Sequence, residues 1–255
     1  MIAEMKVPQN ASRLFEGWQE TMIWSCLQRV MGKIYADDPK NPSSAMAILG
    51  DFIFFAGEPC KELVLYKPDW CARTFIIMVP QDERWSALIE KCYGEKSKRV
   101  ERYAMKKEPD VFRPDELQAI IASLPPKYSM QMMDEALYAR CRQEYWCRDF
   151  VAQYADYGTY RKLGIGAVIL KDGEPVSGAS SYSSYQSGIE IEIDTKQAYR
   201  RQGLATICGA KLILECLNRK LYPSWDAQNK WSVALAQKLG YHFDHPYTAY
   251  EIQDY

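Results

Sequence analysis

The chain has 255 residues, 47% of them apolar and 25% charged, which is enough for a sizeable core in one large or two small domains. Lys and Arg number 32 against 33 Asp and Glu, so no global field draws the protein to nucleic acid or to an anionic membrane, and any anion site must be a local arrangement. No apolar run approaches the roughly 18 to 20 residues that span a bilayer, and Met1–Asn10 has no signal-peptide character. A cytoplasmic protein with no nucleic-acid and no membrane partner is expected. The 8 cysteines show no C-x-x-C spacing, and the two histidines, His242 and His245, lie close together near the end. Reduced, mostly buried thiols and no metal are expected.

Apolar residues from Leu14 to Ile34 fall at helical spacing and predict one long amphipathic helix over residues 11–35, broken by Asp37-Asp38-Pro39. Asp51–Ala56 and Glu62–Tyr66, with Gly57-Glu58-Pro59 between them, read as a hairpin. A strand over Arg73–Val79, a helix over Asp82–Tyr93 and a strand over Lys98–Met105 follow. Pro114 suits the first position of a helix running to Ser123. Leu124-Pro125-Pro126 is the strongest break, so the domains are expected at 1–124 and 125–255. Next come a strand near Tyr128–Met133 and helices near Asp134–Gln143 and Tyr145–Asp156.

Gly166–Leu170 and Pro175–Ser184 flank Lys171-Asp172-Gly173-Glu174, a hairpin signal because Asp-Gly tolerates positive φ. Gly188–Thr195 alternates isoleucines with acids, the pattern of a half-buried strand. A helix over Leu204–Arg219, a strand over Leu221–Ala227 and a helix over Trp231–Leu239 ending at Gly240 complete the pattern. Tyr241–Phe243 and Tyr247–Ile252 read as a short closing hairpin. The two halves share a coarse order of elements without a residue-level repeat.

The informative stretch is Tyr199-Arg200-Arg201-Gln202-Gly203-Leu204-Ala205, placed between the alternating strand and a helix. Unpaired amides at a helix start, together with its macrodipole, attract anions. Gly203 and the small Ala205 admit a bulky diphosphate to the backbone. Arg200 and Arg201 add charge, and Thr206 adds a hydroxyl. There is no P-loop, and Gly164-x-Gly166 lacks the third glycine of a dinucleotide fingerprint.

Arg200-x-x-Gly203-x-Ala205 after such a strand resembles the acyl-CoA signature of the GNAT acetyltransferases, Arg/Gln-x-x-Gly-x-Gly/Ala. Asp226-Ala227-Gln228-Asn229-x-x-Ser232 and Ala236-Gln237-Lys238-Leu239-Gly240-Tyr241 resemble later family elements, in the family's order, and the likeness runs from about Tyr128 to Ile252. It implies an α/β (α+β) protein with a GNAT-like, mixed but mostly antiparallel sheet flanked by helices. A smaller α/β domain precedes it, either acceptor-binding or a degenerate copy of the fold, as in a bacterial subgroup with an added N-terminal region.

The resemblance also implies residue roles, with acetyl-CoA as co-substrate. The amides of Arg201, Gln202, Gly203, Leu204, Ala205 and Thr206, with Arg200 beside them, would hold the pyrophosphate. Main-chain groups of Ile193 and Thr195 would pair with the pantetheine arm, as would the side chain of Asn229 with Ser232 beside it. Asn229 as a plain helix cap is the competing reading. Glu190 or Glu192, with Glu190 preferred, would be the base that accepts the ammonium proton, and Tyr182, Ser183 and Tyr185 would border the acceptor.

One departure is plain: Ala236 stands where many family members carry a tyrosine acid. The expected function is transfer of an acetyl group to an amine of a small molecule, or secondarily of a protein, by direct attack in a ternary complex. A non-catalytic acyl-CoA-binding module and an interaction protein are the alternatives. The oligomeric state is left open, a homodimer being one option.

Overall fold

A computed structural model describes the whole chain, Met1 to Tyr255. Its contacts divide it into two compact units, Met1–Arg102 with Pro246–Tyr255, and Tyr103–His245. The expected break at Leu124-Pro125-Pro126 therefore falls inside the second unit. The reason is the helix Pro114–Ala122: its Leu117 is buried in the second unit's core cluster, and Ile120 and Ile121 pack against that cluster. The two prolines form only a turn, closed by the Tyr128 amide on the Pro125 carbonyl.

In the first unit the elements are β1 (Ala3–Glu4), α1 (Thr21–Gln28), β2 (Lys33–Ala36), β3 (Ser44–Leu49), β4 (Phe52–Gly57), α2 (Lys61–Val64), β5 (Phe75–Pro80), α3 (Glu83–Tyr93) and the start of β6 (Ser97–Met105). The last strand of the chain, β13 (Phe243–Gln253), enters this unit and pairs with β5 antiparallel, Tyr250 opposite Met78. The sheet order is β1-β2-β3-β4-β5-β13-β6. Its core gathers Met46, Ile53, Phe55, Ile76, Met78, Trp85 and Tyr250.

Several expectations here are corrected. The long helix over 11–35 is instead a 3-10 segment, Pro8–Phe15, and the short α1, because Glu16 (ψ 137°) and Glu20 (ψ 114°) are extended. Residues 33–36 are strand β2, held by β3 with Ile34 opposite Ala47. Tertiary pairing overrides the helical spacing there. β4 forms its hairpin with β3 rather than with Glu62–Tyr66, part of which is α2. The expected closing hairpin is the single strand β13; Pro246 sits in its exposed first half, where a missing amide is tolerated.

The second unit contains α4 (Pro114–Ala122), β7 (Ser129–Met132), α5 (Glu135–Gln143), α6 (Tyr157–Leu163), β8 (Gly166–Lys171), β9 (Glu174–Tyr185), β10 (Gly188–Thr195), α7 (Leu204–Asn218), β11 (Tyr222–Ser224), β12 (Asp226–Ala227) and α8 (Lys230–Lys238). Its five-stranded sheet runs β11-β10-β9-β8-β7, antiparallel except for the parallel β10–β11 pair. The β8–β9 hairpin turns at Asp172 (φ 52°) and Gly173 (φ 79°), as Asp-Gly predicts.

α7 packs Leu204, Ile207, Cys208, Leu212 and Ile213 onto Ile189, Ile191 and Ala179 of the sheet. The helix expected over 145–156 is a 3-10 turn, Arg148–Phe150, followed by turns. Asp156 begins α6 rather than ending a helix: it is extended, and its carboxylate accepts the Thr159 amide at 2.7 Å. Six of the eight cysteines are buried, all eight are unbridged, and no helix is long and apolar enough to cross a membrane.

Candidate active site

β10 is paired on both edges only at its start. On one side β9 accompanies it from Gly188 to Thr195. On the other, β11 faces only Gly188, Ile189 and Glu190, the last opposite Ser224. The stretch expected as one strand over 221–227 then divides at Trp225: β12 leaves to pair with Tyr103 and Ala104 of β6. Trp225 is buried, its Nε1 donates to Ser232 Oγ at 3.0 Å, and its ring meets Tyr241 edge-on at 5.5 Å. From Ile191 to Thr195, about 13 Å at the strand rise, β10 therefore has no strand on the β11 side. A wedge opens there, suited to a chain with peptide-like groups.

At the open end of the wedge lies the basic loop. Arg201 (φ 60°) and Gly203 (φ 79°) are both left-handed and flank Gln202, a conformation that turns successive amides outward into an anion-binding concavity. Gly203 is the N-cap of α7; no side chain caps the helix, and its first turn has no acid. The first intrahelical bond is Ile207 N to Gly203 O, so the amides of Leu204, Ala205 and Thr206 precede the ladder. By contrast, Asp82, Asp134, Asp156 and Asn229 cap α3, α5, α6 and α8 with side-chain oxygens. The loop is braced: Tyr128 Oη donates to Gln202 Oε1 at 2.8 Å, and the Tyr128 ring meets Tyr199 edge-on. The sequence reading did not single out Tyr128.

The residues expected at the cofactor are not all alike. Arg200 folds back, its Nε donating to Thr195 O at 2.9 Å and its Nη2 to Asp194 at 3.2 Å. Both main-chain groups of Thr195 are engaged internally, since its amide donates to Asp194 Oδ1, and its hydroxyl bonds Ser177. Ile193 lies on the unpaired stretch of β10, with its side chain toward α7, close to Gly209. Asn229 caps α8, accepting the Ser232 amide at 3.0 Å, which leaves its Nδ2 outside the cap. Ser232 Oγ receives the Trp225 indole.

The closed end of the wedge is polar and buried. Ser183, Glu190 and Ser224 form one row in register across β9, β10 and β11, with relative exposures of 0%, 6% and 0%. Residues in register share a face, so the Glu190 side chain projects from the same face as Ser183 and Ser224. Next to this row β9 carries a bulge at Tyr182, the one residue left over between Ser183 opposite Glu190 and Ser181 opposite Ile191.

Tyr185 Oη meets Ser224 Oγ at 2.9 Å, so Tyr185, expected at the acceptor, is tied into the floor; Tyr182 is likewise buried. Burial, with the Glu190 charge as a lesser cause, raises the pKa of Tyr185 and Tyr241, so both remain neutral phenols. Tyr241 Oη donates to Pro223 O at 2.5 Å. Ala236, also buried, offers no proton. Glu192 is half-buried one pleat further along β10.

A family model described as GNAT acetyltransferase matches residues 12–250, and the chain belongs to that family. The uncharacterized N-acetyltransferase YdfB of Bacillus subtilis (strain 168) is 25% identical over 247 residues, covering 90% of this chain and 89% of its own. The crystal structure of a GCN5-related N-acetyltransferase-like protein from Streptococcus suis 89/1591 is 46% identical over 97% of this chain and 99% of its own, with a TM-score of 0.90. A tandem GNAT protein from the clavulanic acid biosynthesis pathway, 10% identical, shares the fold over 100% of this chain and 99% of its own at a TM-score of 0.56.

Proposed function

We propose that the protein transfers an acetyl group from acetyl-CoA to a primary amine of a small molecule, by direct attack in a ternary complex. The observation that carries this reading is the continuity of the wedge: an uncapped helix start with Arg201 beside it at one end, a buried carboxyl at the other, and an unpaired strand edge between them. The residues fit acetyl-CoA. The amides of Leu204, Ala205 and Thr206, with those of Arg201 to Gly203, bind the pyrophosphate. Main-chain groups around Ile193 align the pantetheine arm as an added strand would, and Asn229 Nδ2 donates to it. The bound thioester supplies the acetyl group.

Glu190 is the base. A lysine-like amine is only roughly 10⁻³ to 10⁻⁴ deprotonated near neutrality, so a group that takes its proton at the point of attack is worth ~10²–10⁴-fold. Glu192, less buried, lines the approach of the amine. A strand amide near Ile193 meets the developing oxyanion. No side chain is assigned as acid: the Tyr241 proton is committed to Pro223 O, and Ser232 Oγ already accepts from Trp225. A thiolate leaves well enough to take its proton from water.

The test is thiol release from acetyl-CoA across a panel of primary amines, with calorimetric CoA binding alongside. Glu190→Gln should lower turnover by about 10²-fold at neutral pH while CoA affinity stays put, and Glu192→Gln should cost less. Full activity in both variants removes the base assignment. Binding without turnover across the panel favours a non-catalytic acyl-CoA-binding module.

A further inference from the structure

β9 carries five buried serines, Ser177, Ser180, Ser181, Ser183 and Ser184. A hydroxyl removed from water needs a partner, or it costs on the order of 1–3 kcal/mol. Four have one. Ser177 Oγ meets Thr195 Oγ1 at 2.7 Å, Ser180 Oγ donates to Phe150 O at 2.7 Å, Ser181 Oγ meets Tyr154 Oη at 2.7 Å, and Ser184 Oγ donates to Leu163 O at 2.6 Å. Ser183 Oγ is the exception: it is fully buried and without a hydrogen-bond partner in the protein. It is also the serine in register with Glu190, beside the bulge at Tyr182 and at the row where β10 and β11 begin to part. The orphan hydroxyl thus lies at the closed end of the wedge.

We infer that Ser183 is a positioning residue for the proton transfer, holding the water through which Glu190 receives the ammonium proton. This rests on the reading above that Glu190 is the base. The Ser183 hydroxyl donates to the water oxygen, and one water hydrogen points at the Glu190 carboxylate. The ammonium N–H bond breaks toward that water as the water's own O–H bond breaks toward the carboxylate. The amine lone pair is then exposed for attack, Glu190 carries the proton, and the water and Ser183 end unchanged. Such a water has three partners, the usual number for a buried one. On the other side of Glu190, Ser224 is held by Tyr185, so the carboxyl is framed from both neighbouring strands.

The experiment uses the full chain, acetyl-CoA and the best acceptor from the amine panel. Ser183→Ala should lower kcat by about tenfold at neutral pH, a fraction of the gain a general base supplies, with KM for acetyl-CoA unchanged. The loss should shrink as pH rises toward the pKa of the amine, where no base is needed. Ser183→Thr, which keeps the hydroxyl, should restore the rate. In a Glu190→Gln background Ser183→Ala should cost nothing more.

Ser183→Cys, which replaces the hydroxyl with a weakly hydrogen-bonding thiol, gives the same measurement should the alanine variant melt early. Wild-type rate in Ser183→Ala, or a loss that is constant with pH and additive to Glu190→Gln, overturns the assignment while leaving Glu190 in place. An undiminished Glu190→Gln removes the base assignment and this inference with it, whereas a wild-type protein inactive with every amine removes the functional reading as well.

Discussion

Tyr128 Oη donates a 2.8 Å hydrogen bond to Gln202 Oε1, tying the start of the sheet to the middle of the loop that flanks α7. The bond acts on geometry, since Gln202 lies between two left-handed residues whose amides must point the same way. Tyr128→Phe keeps the edge contact with Tyr199 and removes only the hydroxyl. A neutral hydrogen bond is worth about 0.5–1.5 kcal/mol. CoA affinity should fall by roughly two- to tenfold, and the melting temperature should drop by no more than about 1–6 °C. Calorimetry beside a thermal melt checks both; unchanged affinity would mean the loop holds its shape without this brace.

Gly203 has φ 79°, with open space where a Cβ would stand. Gly203→Ala therefore meets no clash, only backbone strain of about 1–2 kcal/mol. Stability should drop by that order, and CoA binding should weaken because the cradle relaxes toward ordinary φ. Arg201→Gly separates the two effects. Relief at φ 60° offsets the unfolded-state entropy of glycine, so stability stays within about 0.5 kcal/mol, but one cation leaves and affinity falls. Equal losses of stability and affinity in both variants would argue that the loop is structural only.

The strand and the helix that flank the wedge were legible because their patterns are long and consistent. Ile189, Ile191 and Ile193 alternate with acids over all of β10, and α7 begins at Leu204 as its apolar spacing predicts. The division of the following strand at Trp225 was not legible. Nothing local marks it; it follows from β12 pairing with a strand more than a hundred residues earlier. Glu190 alternates like a solvated acid yet is 6% exposed, and no pattern within β10 records its neighbours. The unpartnered state of Ser183 depends on a bulge, a register property of two strands together. In the first unit, residues 33–36 have helical spacing but become β2, since β3 supplies a partner that the periodicity cannot show.

Burial holds several phenols neutral. Tyr154 is pushed up to about 12, chiefly by burial, against hydrogen bonds to Ser181 and Ser184 that favour the anion. Its folded-state pKa lies above the ordinary value of 10.0, so the folded state binds the proton more tightly than the unfolded chain. The stability this contributes is complete below about pH 10 and is lost as pH rises through about 12. Tyr160, Tyr185 and Tyr241 are displaced in the same direction by burial. An alkaline titration followed by tyrosinate absorbance tests this. The buried set should appear in one cooperative step that coincides with loss of circular dichroism. A smooth titration of all tyrosines, with the fold retained, would contradict the burial of this cluster.

A Cβ on Gly178 would stand 2.5 Å from Phe150 Cε2, well inside contact distance. Phe150 is 1% exposed, and its carbonyl is fixed by Ser180 Oγ, so the ring has little room to withdraw. Gly178→Ala should cost about 1–3 kcal/mol as overpacking and lower Tm by roughly 2–10 °C for a chain of this size. Gly178 lies opposite Asp194 on β10, four residues from Glu190, and the added Cβ would meet Phe150, so a strictly local clash leaves CoA affinity near wild type. Combining Gly178→Ala with Phe150→Leu tests the cause. The smaller side chain vacates the space, and the double variant should be more stable than the two single losses summed, by an interaction of about 0.5–3 kcal/mol. Simple additivity would show that the ring is not what alanine meets.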